Sequence, residues 1–185
     1  EMPKKNSEMS ANEDQKAVNP KYNPEESYYS TNCAYCSATY DLRRRGYDVE
    51  AKPATGAYDT DLAEIASWYG TDIDAFRGVS NEFRSTYGSQ ECIDAVENLL
   101  LGEGEGAYGN FVVYWNGGGG HSVVWTVENG TVMIRDTQLN TVDAYEDYMK
   151  KYDAYMNSYW YLRTDNRELS PAILEVARRR GTNVG

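Results

Sequence analysis

Two hydrophobic rhythms divide the chain. Up to about residue 102, apolar side chains recur every three or four positions, as on one face of a helix; from Asn110 onward they alternate with polar ones. The first clear helix opens at Thr31 and Asn32, whose side-chain oxygens suit the unpaired N–H groups of a first turn. It closes at Gly46, after Arg43, Arg44 and Arg45, which offset the negative end of the helix dipole. Tyr47 to Ala51 alternates and reads as a short strand stopped by Pro53. Asp61 and Glu64 form a capping-box pattern around a helix with Leu62, Ile65, Ala66 and Tyr69 on one face, ended by Gly70. Residues 71–88 carry Ile73, Phe76, Val79 and Phe83 among polar residues and read as a short helix plus loop. Ser89 caps a helix from Cys92 to Leu101, with Cys92, Val96 and either Leu99 or Leu100 facing inward before Gly102.

In the second half, Asn110 to Trp115 is a strand, followed by four glycines, Gly117 to Gly120. The runs His121 to Val127 and Thr131 to Arg135 are rich in Val, Ile, Thr and Trp, and Asn129-Gly130 between them predicts a tight hairpin. Residues Thr141 to Met156 place Tyr145, Tyr148, Tyr152 and Tyr155 at helical spacing, as a half-buried helix face does. Ser158 to Arg163 reads as a last strand, and Pro171 after Ser170 opens a final helix ending at Arg178-Arg179-Arg180-Gly181. Residues 1–27 lack apolar periodicity, carry Pro3, Pro20 and Pro24, and read as a disordered or linker lead-in to a domain spanning 28–185. The pattern as a whole is α+β: a helical first part, then a mostly antiparallel sheet.

Charge and cysteine count narrow the function. A net charge of −11 opposes phosphate contact, so no nucleic-acid partner is expected. The longest apolar runs, Val123 to Trp125 and Leu99 to Leu101, fall far short of the ~20 residues that cross a bilayer, so no membrane partner is expected either. No signal-peptide core is visible, and a start at Glu1 fits a processed product or an excised domain. Three cysteines are too few and odd for a disulfide scaffold, leaving at least one thiol for other work.

Cys33 falls in the first turn of its helix, where free N–H groups and the positive end of the dipole favour the nucleophilic thiolate. His121 is the single histidine, placed at a strand start behind glycines that let the backbone approach a substrate. Counting outward from Asn129-Gly130 puts Asp136 opposite or nearly opposite His121, where its carboxylate can hold the imidazole in the tautomer that takes a thiol proton. Gln138 and Asn32 are candidates for holding an oxyanion or orienting the ring. Cys36, one turn on, is the alternative nucleophile, a buried thiol, or half of a Cys-x-x-Cys redox pair; its place on the packed side favours Cys33. A zinc site from Cys33, Cys36, Cys92 and His121 satisfies the metal by count, but Cys92 fits a helix's apolar stripe and no second Cys-x-x-Cys follows, so no metal or other cofactor is expected.

The segments Asn32-Cys33 through Arg43-Arg44-Arg45-Gly46-Tyr47-Asp48-Val49-Glu50-Ala51, Gly118-Gly119-Gly120-His121, Asp136-Thr137-Gln138 and Arg163-Thr164-Asp165-Asn166 together resemble the papain-fold toxin family of predicted glutamine deamidases. Members occur as C-terminal domains of bacterial polymorphic toxins and of phage-associated proteins. The resemblance spans roughly residues 28–170 and implies a papain-like fold with Cys33 as nucleophile, His121 as base and Asp136 as its partner. It also implies a protein substrate with a target glutamine, leaves room for a cognate immunity protein, and fits delivery from a bacterium or phage particle into a target cell. Deamidation and proteolysis share the acyl-enzyme step, so a cysteine protease is the alternative within this chemistry, and a non-catalytic binding or structural module the alternative outside it.

Overall fold

The computed structural model describes residues 2–54 and 60–181. Helix α1 (Ala11–Lys16), the turn α2 (Ser27–Ser30) and the long α3 (Cys33–Arg44) precede strand β1 (Val49–Ala51). Helix α4 (Leu62–Ser67) has the expected Asp61 cap, its carboxylate accepting from the Glu64 N–H. A 3₁₀ turn at Ile73–Ala75, strand β2 (Arg77–Val79) and helix α5 (Asn81–Tyr87) fill the region read as short helix plus loop. Helix α6 (Ser89–Gly102) has Gly88, not Ser89, as its N-cap, and the serine that caps in this region is Ser80, ahead of α5. Then come β3 (Tyr108–Trp115), β4 (Gly120–Glu128), β5 (Thr131–Asp136), β6 (Thr141–Ala144), α7 (Tyr145–Tyr152), β7 (Met156–Arg163) and β8 (Ala177–Arg179).

Among the described residues, six strands form one antiparallel sheet in the order β2-β7-β3-β4-β5-β6, and β1 pairs with β8 beside it. The hairpin is as the sequence predicts: Glu128 faces Thr131, with Asn129 and Gly130 both at positive φ. Alternation then sorts the side chains. Phe111, Val113, Val123, Trp125, Val127, Val132 and Ile134 face α6 and α7, where Val96, Leu100, Tyr145 and Met149 close an apolar core. The opposite face receives α3, which is buried almost all round. Its Ala34, Ala38 and Leu42 pack with α4 and Val112, and its Cys36 and Tyr40 pack with Val124 and Val18.

Three expectations change. The segment 141–156 is not one helix: Thr141–Ala144 returns as an edge strand on β5 after Asn140 turns the chain at φ 60°, and α7 begins only at Tyr145. β7 is not the last strand but sits inside the sheet between β2 and β3. The helix at Pro171 is a single 3₁₀ stretch, Pro171–Glu175, after which Ala177–Arg179 pairs with β1; Ile173, Val176 and Ala177 are buried, so Arg178 and Arg179 lie on a strand and Arg180 in the turn after it, rather than at a helix end.

The lead-in also differs. Residues 2–19 pack on the domain: Ser10 and Glu13 form a reciprocal capping box, and Val18, Asp14, Gln15 and Asn19 are buried. Buried Asp14 requires cations, and Lys5, Arg43 and Arg44 supply them at 2.9, 3.1 and 2.8 Å. Arg43 is thus committed to Asp14 and to the Val49 carbonyl, not merely to the helix dipole.

Candidate active site

Cys33 is the first residue of α3 and is half-buried. Asn32 precedes it as the N-cap, yet its side chain makes no capping bond. Both of its amide hydrogens are spent elsewhere, on Asn19 Oδ1 at 3.1 Å and the Lys52 carbonyl at 3.0 Å, while its Oδ1 accepts from Gln138 Nε2 at 3.2 Å. Thr31 donates back to the Ser27 carbonyl. The first-turn N–H groups of α3 therefore have no cap from either expected residue.

The sheet opens beside this helix start. β4 and β5 pair as far as Val124 and Arg135; beyond that, Asp136 pairs with Thr141 of β6 and His121 with Val113 of β3. Where the ladder ends, the Ser122 N–H turns to the sulfur of Cys33 at 3.4 Å. The hairpin register puts Asp136 level with Val123, so His121 is its diagonal neighbour on the same face, two residues from directly opposite. The gap is closed by side chains: His121 Nε2 lies 2.6 Å from Asp136 Oδ2. Asp136 Oδ1 accepts from the N–H groups of Gln138 and Leu139, each at 3.1 Å, which fixes the carboxylate. With Nε2 held by Asp136, Nδ1 is the ring nitrogen left for its hydrogen bond with Cys33.

The charges follow from this geometry. Burial pushes the Cys33 thiol up, but the bond to His121, the imidazole's charge and the Ser122 N–H outweigh it and hold the thiol below its ordinary range. Burial pulls His121 down, and the bonds to Asp136 and Cys33 more than reverse this, raising it to about 10. The surroundings thus favour a thiolate facing an imidazolium. Cys36 is the contrary case. It is fully buried between Val18, Tyr40 and Val124, and burial pushes its thiol well up, so it stays protonated. Cys92 lies on α6 in the core on the other sheet face. Among the described residues, no three of His, Cys, Asp and Glu are grouped to hold a metal ion.

Cys33 and His121 open onto a cleft of about 280 Å³, lined also by Tyr35, Ile65, Val112, Tyr114 and Gly119. The glycine run shapes its rim. Gly118 and Gly119 adopt positive φ, and a β-carbon on Gly120 would lie 2.7 Å from the Val113 carbonyl oxygen. The run therefore serves the tight turn between β3 and β4, and Gly119 and Gly120 then reach the cleft wall.

Two residues near the site escaped the sequence reading. Gln15 donates to the carbonyls of Asp136 and Thr141 at 3.3 and 2.9 Å, and Asn19 donates to the Gln138 carbonyl at 3.2 Å. Both lie in the segment taken for a lead-in. The signal that could have found them is Ser10-x-x-Glu13, a helix-start signature directly ahead of Gln15.

No curated protein matches the sequence. The family model described as papain fold toxin 1, glutamine deamidase, matches residues 31–141, a span that runs from the start of α3 to the start of β6 and contains Cys33, His121, Asp136, Asn32 and Gln138. The chain belongs to the papain-fold glutamine deamidase toxin family.

Proposed function

We propose that this chain is a cysteine-dependent protein-glutamine deamidase of the effector kind, with Cys33 as nucleophile, His121 as acid and base, and Asp136 holding the imidazole. The observation that carries the reading is Cys33 at a helix start, bonded to an imidazole whose far nitrogen sits 2.6 Å from a carboxylate. The thiolate attacks the carboxamide carbon of a glutamine side chain and forms a tetrahedral oxyanion. The Cys33 N–H, at the open end of α3, is the proposed donor to that oxygen. Collapse breaks the C–N bond, and His121 gives its proton to the leaving nitrogen, releasing ammonia and leaving a thioester. Neutral His121 then takes a proton from water, whose oxygen attacks the thioester and frees glutamate and the thiolate. Asn32 orients rather than donates, because both of its amide hydrogens are engaged. Gln138 orients too, through its backbone bond to Asp136 and its side-chain bond to Asn32. A cognate immunity protein belongs to the same reading, as the partner that would cover the cleft.

The test is mass spectrometry of proteins from a susceptible cell after exposure to the chain. Deamidation gives a gain of about one dalton at glutamine. Backbone cleavage at Cys33-dependent sites would instead assign a protease, and neither change would leave a binding module.

A further inference from the structure

Three side-chain amides form a circuit behind the cleft that closes through the Gln138 backbone carbonyl. Asn32 donates to Asn19 Oδ1, Asn19 Nδ2 donates to the Gln138 carbonyl, and Gln138 Nε2 donates to Asn32 Oδ1. The circuit joins the residue before Cys33 to the residue two after Asp136, so it ties the helix start to the turn that holds the carboxylate. A second tie comes from Gln15, whose Nε2 spans the Asp136 and Thr141 carbonyls while its Oε1 accepts from Arg135 at 2.8 Å. Asn19 and Gln15 are 7 and 1 % exposed and belong to the opening segment, outside the 31–141 span of the family match.

We propose that Gln15 and Asn19 are positioning residues for the Cys33–His121–Asp136 constellation, so that the opening segment is part of the catalytic apparatus; this rests on the deamidase reading for its consequence but not for its geometry. Three facts support it. The β4–β5 ladder has ended before Asp136, so strand pairing with β4 does not fix that residue relative to His121. The backbone carbonyls on either side of the Asp136 turn accept from the opening segment. Finally, a buried amide that bonds two carbonyls at once defines a position more narrowly than apolar contact does, because each bond is directional and leaving either carbonyl unpaired is costly.

The experiment uses Gln15→Met and Asn19→Leu, neutral replacements of similar size that remove the donors without adding charge, with Asn12→Ala as control. Asn12 accepts from Arg135 on the same segment but does not touch the turn. Because His121 is the single histidine, its ring ¹⁵N signals report its titration without ambiguity. In each folded variant the His121 titration should fall by about one pH unit or more, and iodoacetamide labelling of Cys33 near pH 6 should slow about tenfold. Asn12→Ala should leave both unchanged. If Asn19→Leu does not fold, Asn19→Ser is read in its place. An unchanged titration in the folded variants, or an equal loss in Asn12→Ala, would overturn the proposal. Glutamine turnover is measured separately: a wild-type protein with the titration described but no deamidation sinks the functional reading and leaves the positioning intact.

Discussion

The two faces of the central sheet are built on opposite principles. Against α6 and α7 the sheet presents Phe111, Trp125, Val127, Ile134 and Tyr159, an apolar core held by shape, in which Phe111 stacks on Tyr159 at 5.8 Å and meets Tyr145 edge-on. Against α3 the contact includes a buried polar seam, Ser37 to Ser122 to Asn110, which continues at the helix start into Cys33 and the amide circuit. One face carries stability that tolerates small shifts, and the other carries direction, because a hydrogen bond is lost when its partners move. Separating the two by mutation is the way to break or sharpen this contrast.

The largest effect belongs to the polar face. Cys33→Ala should lower glutamine turnover by on the order of 10⁴-fold or more while the protein still folds, since a half-buried first-turn thiol packs little. Loss of activity from Cys36→Ala with retention in Cys33→Ala would reverse the assignment. The converse belongs to the apolar face. Phe111→Ala should cost about 3–5 kcal/mol in urea melts, while the pH profile of Cys33 alkylation in the folded fraction stays as in wild type. A shifted profile would mean that the two faces are mechanically coupled and the contrast is false.

A smaller effect comes from the ion pair's dependence on pH. His121 is raised from 6.5 to about 10 in the folded protein, so its stabilisation is complete below 6.5 and is lost as pH rises through about 10. Cys33 is lowered from 9.0, so its stabilisation is complete above 9.0 and is lost as pH falls through its folded value. Between these unfolded values the slopes oppose, because a proton lost by the thiol on folding offsets one gained by the imidazole. Wild-type stability should therefore fall less steeply between about pH 7 and 9 than that of a variant without the thiol. Cys33→Ala exposes the histidine's slope, still supported by Asp136, and should become less stable over that range relative to wild type. Urea midpoints at three pH values decide it; parallel curves would mean that the pair is neutral in the free protein.

The contrast also explains what the sequence revealed. The apolar face was legible because its information is periodic and local: alternation gave β3, β4 and β5, Asn129-Gly130 gave the register of β4 and β5, and that register brought His121 near Asp136. The polar pair before Cys33 marked a helix start at the right place, although neither Thr31 nor Asn32 caps the first turn. The polar ties were not legible, since Gln15 to Asp136 and Asn32 to Gln138 are separated by 121 and 106 residues, and an amide looks the same in sequence whether it bonds a carbonyl or water. The arginines after Val176 misled for a related reason: charge at a presumed helix end is a weak signal, and burial of Ile173, Val176 and Ala177 decided the backbone instead.

The smallest predicted effect marks the edge of the apolar face. Helical spacing left Leu99 and Leu100 equivalent, and the structure separates them: Leu100 is fully buried against the sheet, while Leu99 is 48 % exposed. A helix rotates about 100° per residue, so only one of two neighbours can centre on the core. Leu99→Ala removes little buried area and gains slightly in helix propensity, so stability should change by less than about 0.5 kcal/mol. Leu100→Ala leaves a cavity in the apolar core beneath α6 and should cost about 2–5 kcal/mol. Comparable losses from both would mean that α6 is turned on its axis relative to this structure, and that the apolar face extends onto surface assigned here to solvent.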